Sequence, residues 1–268
     1  MLTFAAGDPL GHVLDHSLSS DMTLFWLHHP ILDQIGLSKH VFMMLISTLV
    51  CVFLFSRVAK GLERQIKTGE SKGTLSSMLE ATLVFLRDDM VKPSLGADTN
   101  RFLPLLWTYF FFIVFCNLLG LVPFLATATG NISVTAALAG IAFVTYHFFG
   151  MKQNGVVSYW KDSLLVGPAP LWPLMIIIEA AGHLIKPAAL AIRLFANMMG
   201  GHILLAVIMM GTTVVSLDNL LIGGGISLVS ATGAVMLTFL ELLVAMIQAF
   251  IFTNLTTVFL GAALHPEH

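Results

Sequence analysis

Six ionisable side chains lie in stretches that are otherwise apolar, and they are the residues of this 268-residue chain best placed to do chemistry. Glu179, His183, Lys186, Arg193 and His202 occupy one such stretch and Glu241 another. On an ideal helix, at about 100° per residue, Glu179, His183, Lys186, Arg193 and Asn197 fall within about 80° of one another. The spacing predicts one polar stripe, with His202, nine residues past Arg193, on the opposite face. Glu241 and Gln248, seven residues apart, share a face of the second stretch. Ionisable groups are expensive in hydrocarbon, and where they persist they mark ion paths and proton relays. Arginine stays charged at any accessible pH, and Arg193 has no acidic residue three or four positions away. It therefore needs water or a carboxylate supplied from elsewhere. Histidine, with an ordinary pKa of about 6.5, suits relay duty. Two polar faces in different surroundings are what a path with two separate access routes requires.

The elements that position these residues must be membrane helices. Hydrophobic residues make up 57% of the chain and charged residues 10%, with a mean hydropathy of +0.89. A soluble domain carries about 25% charged residues, so this chain lacks the polar groups to coat a water-facing globule. No basic cluster interleaved with aromatics marks a nucleic-acid surface, and the sequence suggests no nucleic-acid partner. Cys51 and Cys116 sit in apolar runs as small packing residues, and no cofactor or metal site is expected.

Residues 1–37 read as an extramembranous arm. They show no signal-peptide pattern, and the adjacent His28 and His29 point to different faces rather than to one metal. Residues 38–268 read as a single membrane domain, all-α, with about five crossings near 38–58, 102–125, 131–150, 170–210 and 226–264. An interfacial amphipathic helix is expected near 75–92. Eight of the thirteen Lys and Arg lie between Arg57 and Arg101, against only Lys39 before the first crossing. The positive-inside rule then places the N-terminus outside and, after five crossings, the C-terminus in the cytoplasm. The fifty residues between Arg101 and Lys152 hold no charge and form a hairpin whose turn is marked by Pro123 and Thr127 to Asn131. Within it, Asn117 and His147 are expected to hydrogen-bond between helices. The last two helices are about 40 residues each, about 60 Å, which is twice the hydrocarbon thickness. They must tilt steeply, lie nearly in the membrane plane, or break in two. Gly223-Gly224-Gly225 is expected to separate the pair.

The run Lys186-Pro187-Ala188-Ala189-Leu190-Ala191-Ile192-Arg193-Leu194-Phe195-Ala196-Asn197-Met198-Met199-Gly200-Gly201-His202 resembles the signature of subunit a of the rotary F-type ATP synthase. Gln248-Ala249-Phe250-Ile251-Phe252 resembles the same family's final helix, and Asn117 to Pro123 and the order of segments extend the likeness over most of 40–268. The resemblance implies a stationary, non-catalytic subunit of a proton-translocating ATP synthase in a membrane, most simply the bacterial inner membrane. Its implied partners are a c-ring, b-type peripheral stalk subunits, the remaining synthase subunits, lipid and protons. Arg193 would face the c-ring carboxylate, with Asn197 and Gln248 as polar partners. Glu179, His183 and Lys186 would lie towards the cytoplasmic access route. His202 and Glu241 fall where many bacterial members have glutamate and histidine respectively, so the acid and the imidazole are exchanged, which implies that the two side chains meet.

Three other classes compete. An ion-coupled secondary transporter needs internal repeats or paired broken helices, which the sequence lacks. An intramembrane hydrolase has Ser163, Ser216, Ser227 and Ser230 as nucleophiles but no G-x-S-x-G or H-E-x-x-H motif. A structural membrane subunit needs none of the polar stripe.

Overall fold

The computed structural model of the chain describes residues 39–68, 74–121, 127–165, 169–216 and 220–265. The arm 1–37, with His28 and His29, and Pro123 lie outside the described residues. Those described are all-α, with no strand among them. The helices are α1 (Lys39–Thr68), α2 (Thr74–Phe85), α3 (Lys92–Leu95), α4 (Thr99–Gly120), α5 (Ile132–Asn154), α6 (Val156–Leu164), α7 (Trp172–Ser216) and α8 (Leu220–Leu264). Four helical runs, Ser76–Gly120, Ile132–Asn154, Trp172–Ile208 and Leu228–Leu264, are long and apolar enough to cross a membrane, and Val41–Arg57 is a shorter apolar helix.

Two boundaries differ from the sequence expectation for identifiable reasons. The expected interfacial helix near 75–92 runs on into the next crossing through a π-helical turn, Leu86–Val91, and α3. The direction changes at Gly96, whose φ of 51° is a conformation that a residue with a Cβ rarely adopts. Gly223-Gly224-Gly225 does not separate the two long helices: all three lie inside α8, which begins at Leu220. In a bilayer, glycine keeps its helical hydrogen bonds because water does not compete for them.

Both long helices are continuous over 45 residues, α7 with Pro187 inside it. That is about 67 Å of rise against about 30 Å of hydrocarbon, so neither can be apolar along its length and stand upright. Pro187 has no N–H to give to the carbonyl of His183, four residues back, so α7 lacks one internal rung there.

By its contacts the chain forms two compact units. One takes in the described parts of Met1–Ser47, Val114–Val134 and Leu194–Gln248. Its hairpin turn is stapled by buried polar groups. Thr129 Oγ1 donates to Asn117 Oδ1 (2.7 Å), and Asn117 Nδ2 donates to the Ala245 carbonyl (3.3 Å). Thr127 packs against Gly120, where a methyl group would collide with it.

The other unit takes in Thr48–Ile113, Thr135–Arg193 and Ala249–His268. Phe102 of α4 meets Phe149 of α5 edge-on at 4.8 Å, and the Arg101 guanidinium lies over both rings. The end of α8 is capped from α5, where Asn154 Nδ2 donates to the carbonyls of Ala263 (3.0 Å) and Leu264 (3.3 Å). Gly261 rests against the Ser94 backbone, and Gly150 admits the Tyr159 ring. Gly155, at φ 81°, breaks α5 from α6 and turns α6 back so that Tyr159 is buried.

The cap predicts a measurable cost. Asn154→Ala leaves helix-end carbonyls without a donor, worth about 1 kcal/mol or somewhat more. Protease cleavage near the end of α8 in detergent should appear at a lower temperature than in the parent, and an unchanged cleavage profile would contradict the capping role.

Candidate functional site

The polar residues of the two long helices are distributed over both units. In the first, Asn197 Nδ2 donates to Gln248 Oε1 at 2.6 Å, joining α7 to α8. Gln248 is buried, so this bond satisfies its Oε1, while its Nε2 has no hydrogen-bond partner among the described residues. One turn on, His202 and Glu241 line a single cavity of about 240 Å³ together with Asn197, Gly200, Gly201 and Val244. A water occupies about 30 Å³ of liquid, so several fit. His202 Nε2 and Glu241 Oε1 are both buried in its wall with no protein partner among the described residues. The imidazole and the carboxyl therefore share one space without bonding directly through these atoms. Gly201 is what admits the acid: a methyl group there would collide with the Glu241 carboxylate.

The second unit holds Arg193 and the rest of the stripe. Arg193 is exposed, and among the described residues it forms no ion pair. It belongs to an exposed face of α7 formed by Ala188, Ala189, Ile192, Arg193, Ala196, Asn197 and Gly200, while Leu190, Ala191, Leu194 and Met198 on the other side are buried. The small residues around Arg193 leave its guanidinium standing on a surface that another helix can approach closely. Lys186 lies with Nζ 5.7 Å from the centre of the Phe259 ring.

His183 is drawn into a cluster that helical spacing does not reveal. Its Nε2 lies 2.6 Å from Ser163 Oγ on α6, and its ring centre lies 5.0 Å from that of His147 on α5. His147 Nδ1 in turn lies 2.8 Å from the Tyr159 hydroxyl. Burial pushes the Tyr159 phenol up to about 12, so it stays protonated. His147 Nδ1 is its one hydrogen-bond partner among the described residues, and the O–H donated there leaves no buried hydroxyl proton unpaired. Trp160 stacks on His147 at 5.4 Å. Tyr159 carried no signal on its own and Ser163 only that of a candidate nucleophile; their i, i+4 placement on an amphipathic helix is the one hint of a shared inward face. The Ser163–His183 contact has the form of a nucleophile–base pair. A hydrolase would also need an acid orienting the second ring nitrogen, and His183 Nδ1 has no hydrogen-bond partner among the described residues.

The ATP synthase A chain family matches residues 41–261. An ATP synthase subunit a 2 from Chlorobaculum tepidum is 36% identical over 94% of this chain and 71% of its own length. An ATP synthase subunit a from Chloroherpeton thalassium is 36% identical over 97% of this chain and 78% of its own length. A further relative, ATP synthase subunit a from Myxococcus xanthus, is 40% identical over 74% of this chain and 63% of its own length.

The close approach at Gly201 can be tested without any assay of transport. A cysteine at Val244, in the cavity wall, should react with small water-soluble thiol reagents. Adding Gly201→Val should suppress that labelling severalfold, and undiminished labelling would show that Gly201 does not bound the cavity.

Proposed function

This chain belongs to the ATP synthase A chain family, and from that premise we propose that it is the stationary ion-conducting subunit against which a c-ring turns, with Arg193 facing the ring carboxylate. The observation that carries the reading is Arg193 itself: a permanent charge in an apolar helix, exposed on a small-residue face, with no counter-charge among the described residues. A cation in hydrocarbon is tolerated when a partner neutralises it, and in this reading that partner is the ring carboxylate.

The mechanism follows from the cost of charge in oil. A ring carboxyl crosses lipid in its neutral form, because an ionised one costs several kcal/mol or more. Beside Arg193 the ionised form is favoured and its pKa falls, so the acid gives up its proton there. The same fixed charge repels a proton that would pass straight from one access route to the other. Arginine serves because it does not deprotonate. Asn197, held by Gln248, stands one turn beyond Arg193 on the same face. The cavity of His202 and Glu241 supports an outer half-channel, since an imidazole and an acid in one water-sized space can pass a proton between them. His183, which meets Ser163 of α6, and Glu179 and Lys186 beside it on α7 support an inner one. These are two offset half-channels ending on either side of Arg193, and proton flow between them by way of the ring drives rotation. The relay histidines favour H⁺ over Na⁺.

In this reading the subunit is non-catalytic, its partners are the c-ring, the b-type stalk and the remaining synthase subunits, and it is a multi-pass protein of a bacterial inner membrane. The N-terminus is outside and the C-terminus cytoplasmic, in keeping with the lysines and arginines of 57–101 and with Lys152 and Lys161.

Arg193→Ala should abolish proton-driven ATP synthesis and ATP-driven pumping while the c-ring still co-purifies; normal pumping would overturn the assignment. Exchanging the cavity pair, His202→Glu with Glu241→His, should harm proton flux less than either single change to alanine. Flux in the exchange variant no better than in the alanine variants would show that the two side chains do not act as a pair.

A further inference from the structure

The cluster on α5, α6 and α7 is unusual for groups that only tie helices together. His147 is 5% exposed and uses one ring nitrogen, Nδ1, on Tyr159. His183 uses one, Nε2, on Ser163. The two remaining nitrogens, His147 Nε2 and His183 Nδ1, are both buried without a protein partner among the described residues. They belong to rings whose centres are 5.0 Å apart. An unsatisfied buried polar atom is destabilising, and an apolar pair would tie the helices without that cost. The donor and acceptor roles are complementary. Tyr159 donates its O–H to His147 Nδ1, which places the imidazole proton on Nε2. His183 can then accept at Nδ1 and donate from Nε2 to Ser163. A single water taking the His147 proton and giving its own to His183 satisfies both stranded nitrogens.

We propose that Tyr159, His147, one bridging water, His183 and Ser163 form a hydrogen-bonded proton relay that collects protons for the inner half-channel. This rests on the reading of that half-channel given above. A proton taken up at the Tyr159 hydroxyl and one released from the Ser163 hydroxyl balance the transfer. Each imidazole takes a proton at one nitrogen and releases one from the other, so charges are unchanged and each ring, left in its other tautomer, returns to the first before the next transfer. His183 lies ten residues before Arg193, about 15 Å along α7. The relay therefore acts at the mouth of the route and not at the ring carboxylate. Its electrostatic neighbours are Lys186, which acts on both imidazoles, and Glu179, one turn before His183. Tyr146, with its ring 4.6 Å from His147, and Trp160 close the apolar side. Pro187 adds to the site, because the His183 carbonyl that it leaves without a helical donor is a further acceptor for water.

The test uses the whole synthase in membrane vesicles, comparing His147→Gln, His183→Gln and Tyr159→Phe with the parent. Glutamine keeps hydrogen bonding but does not shuttle protons, and Tyr159→Phe removes one hydroxyl from an intact ring. Each should slow proton flux severalfold at alkaline pH, where protons are scarce, and little at acid pH, with c-ring co-purification and the ATP-to-proton ratio unchanged. Added imidazole should restore flux in His147→Ala. Parental flux in all three variants at alkaline pH overturns the relay. So does a loss equal at every pH that imidazole does not relieve, which is the mark of a structural role. Arg193→Ala, assayed in parallel, separates failure of the relay from failure of the half-channel reading, since only the latter leaves that variant pumping.

Discussion

The structure is organised around a cation for which the described residues provide no anion. Among the described residues Arg193 has no ion pair, and α7 carries it on a face of alanines and a glycine. In water such a residue would be ordinary. Within an apolar helix such a charge is costly unless it meets water or an anion. Leu190, Ala191, Leu194 and Met198 turn inward, Ala188, Ala189, Ile192, Ala196 and Gly200 turn outward, and Asn197 is held by Gln248. The bilayer constrains the rest. Backbone groups must be satisfied within the protein, so the described residues are helical and the buried threonines of the hairpin turn bond to one another and to Asn117.

Much of this was legible in the sequence because hydrocarbon imposes strong patterns. Charge-free runs, the bias of lysine and arginine, and the lengths of α7 and α8 all follow from transfer free energies that act residue by residue. The all-α class and the family follow from those runs and from the Arg193 signature. Boundaries were less legible. The apolar run ends at Arg57 but α1 continues to Thr68, since a helix leaving the membrane does not have to stop. The glycine triplet looked like a separator because glycine weakens helices in water, where exposed backbone finds other partners.

The side-chain groupings divide in the same way. Faces set by a 3.6-residue period could be read from spacing, as with Glu241 and Gln248 on α8. The cluster of His147, Tyr159, His183 and Ser163 could not, because it joins three helices through a reversal at Gly155. His147 read alone suggested helix-to-helix bonding. Its bond to Tyr159 is of that kind, but its neighbour across the gap is another imidazole.

Pro187 has a mechanical consequence. A helix of 45 residues with every rung in place behaves as a stiff rod, and a sideways load at one end is felt along its whole length. Without the rung between His183 and residue 187, α7 flexes most easily there, as a spring leaf bends at its thinned section. Strain arriving from either end is absorbed in that turn, and the alignment of Asn197 with Gln248, ten residues further along, is kept in register.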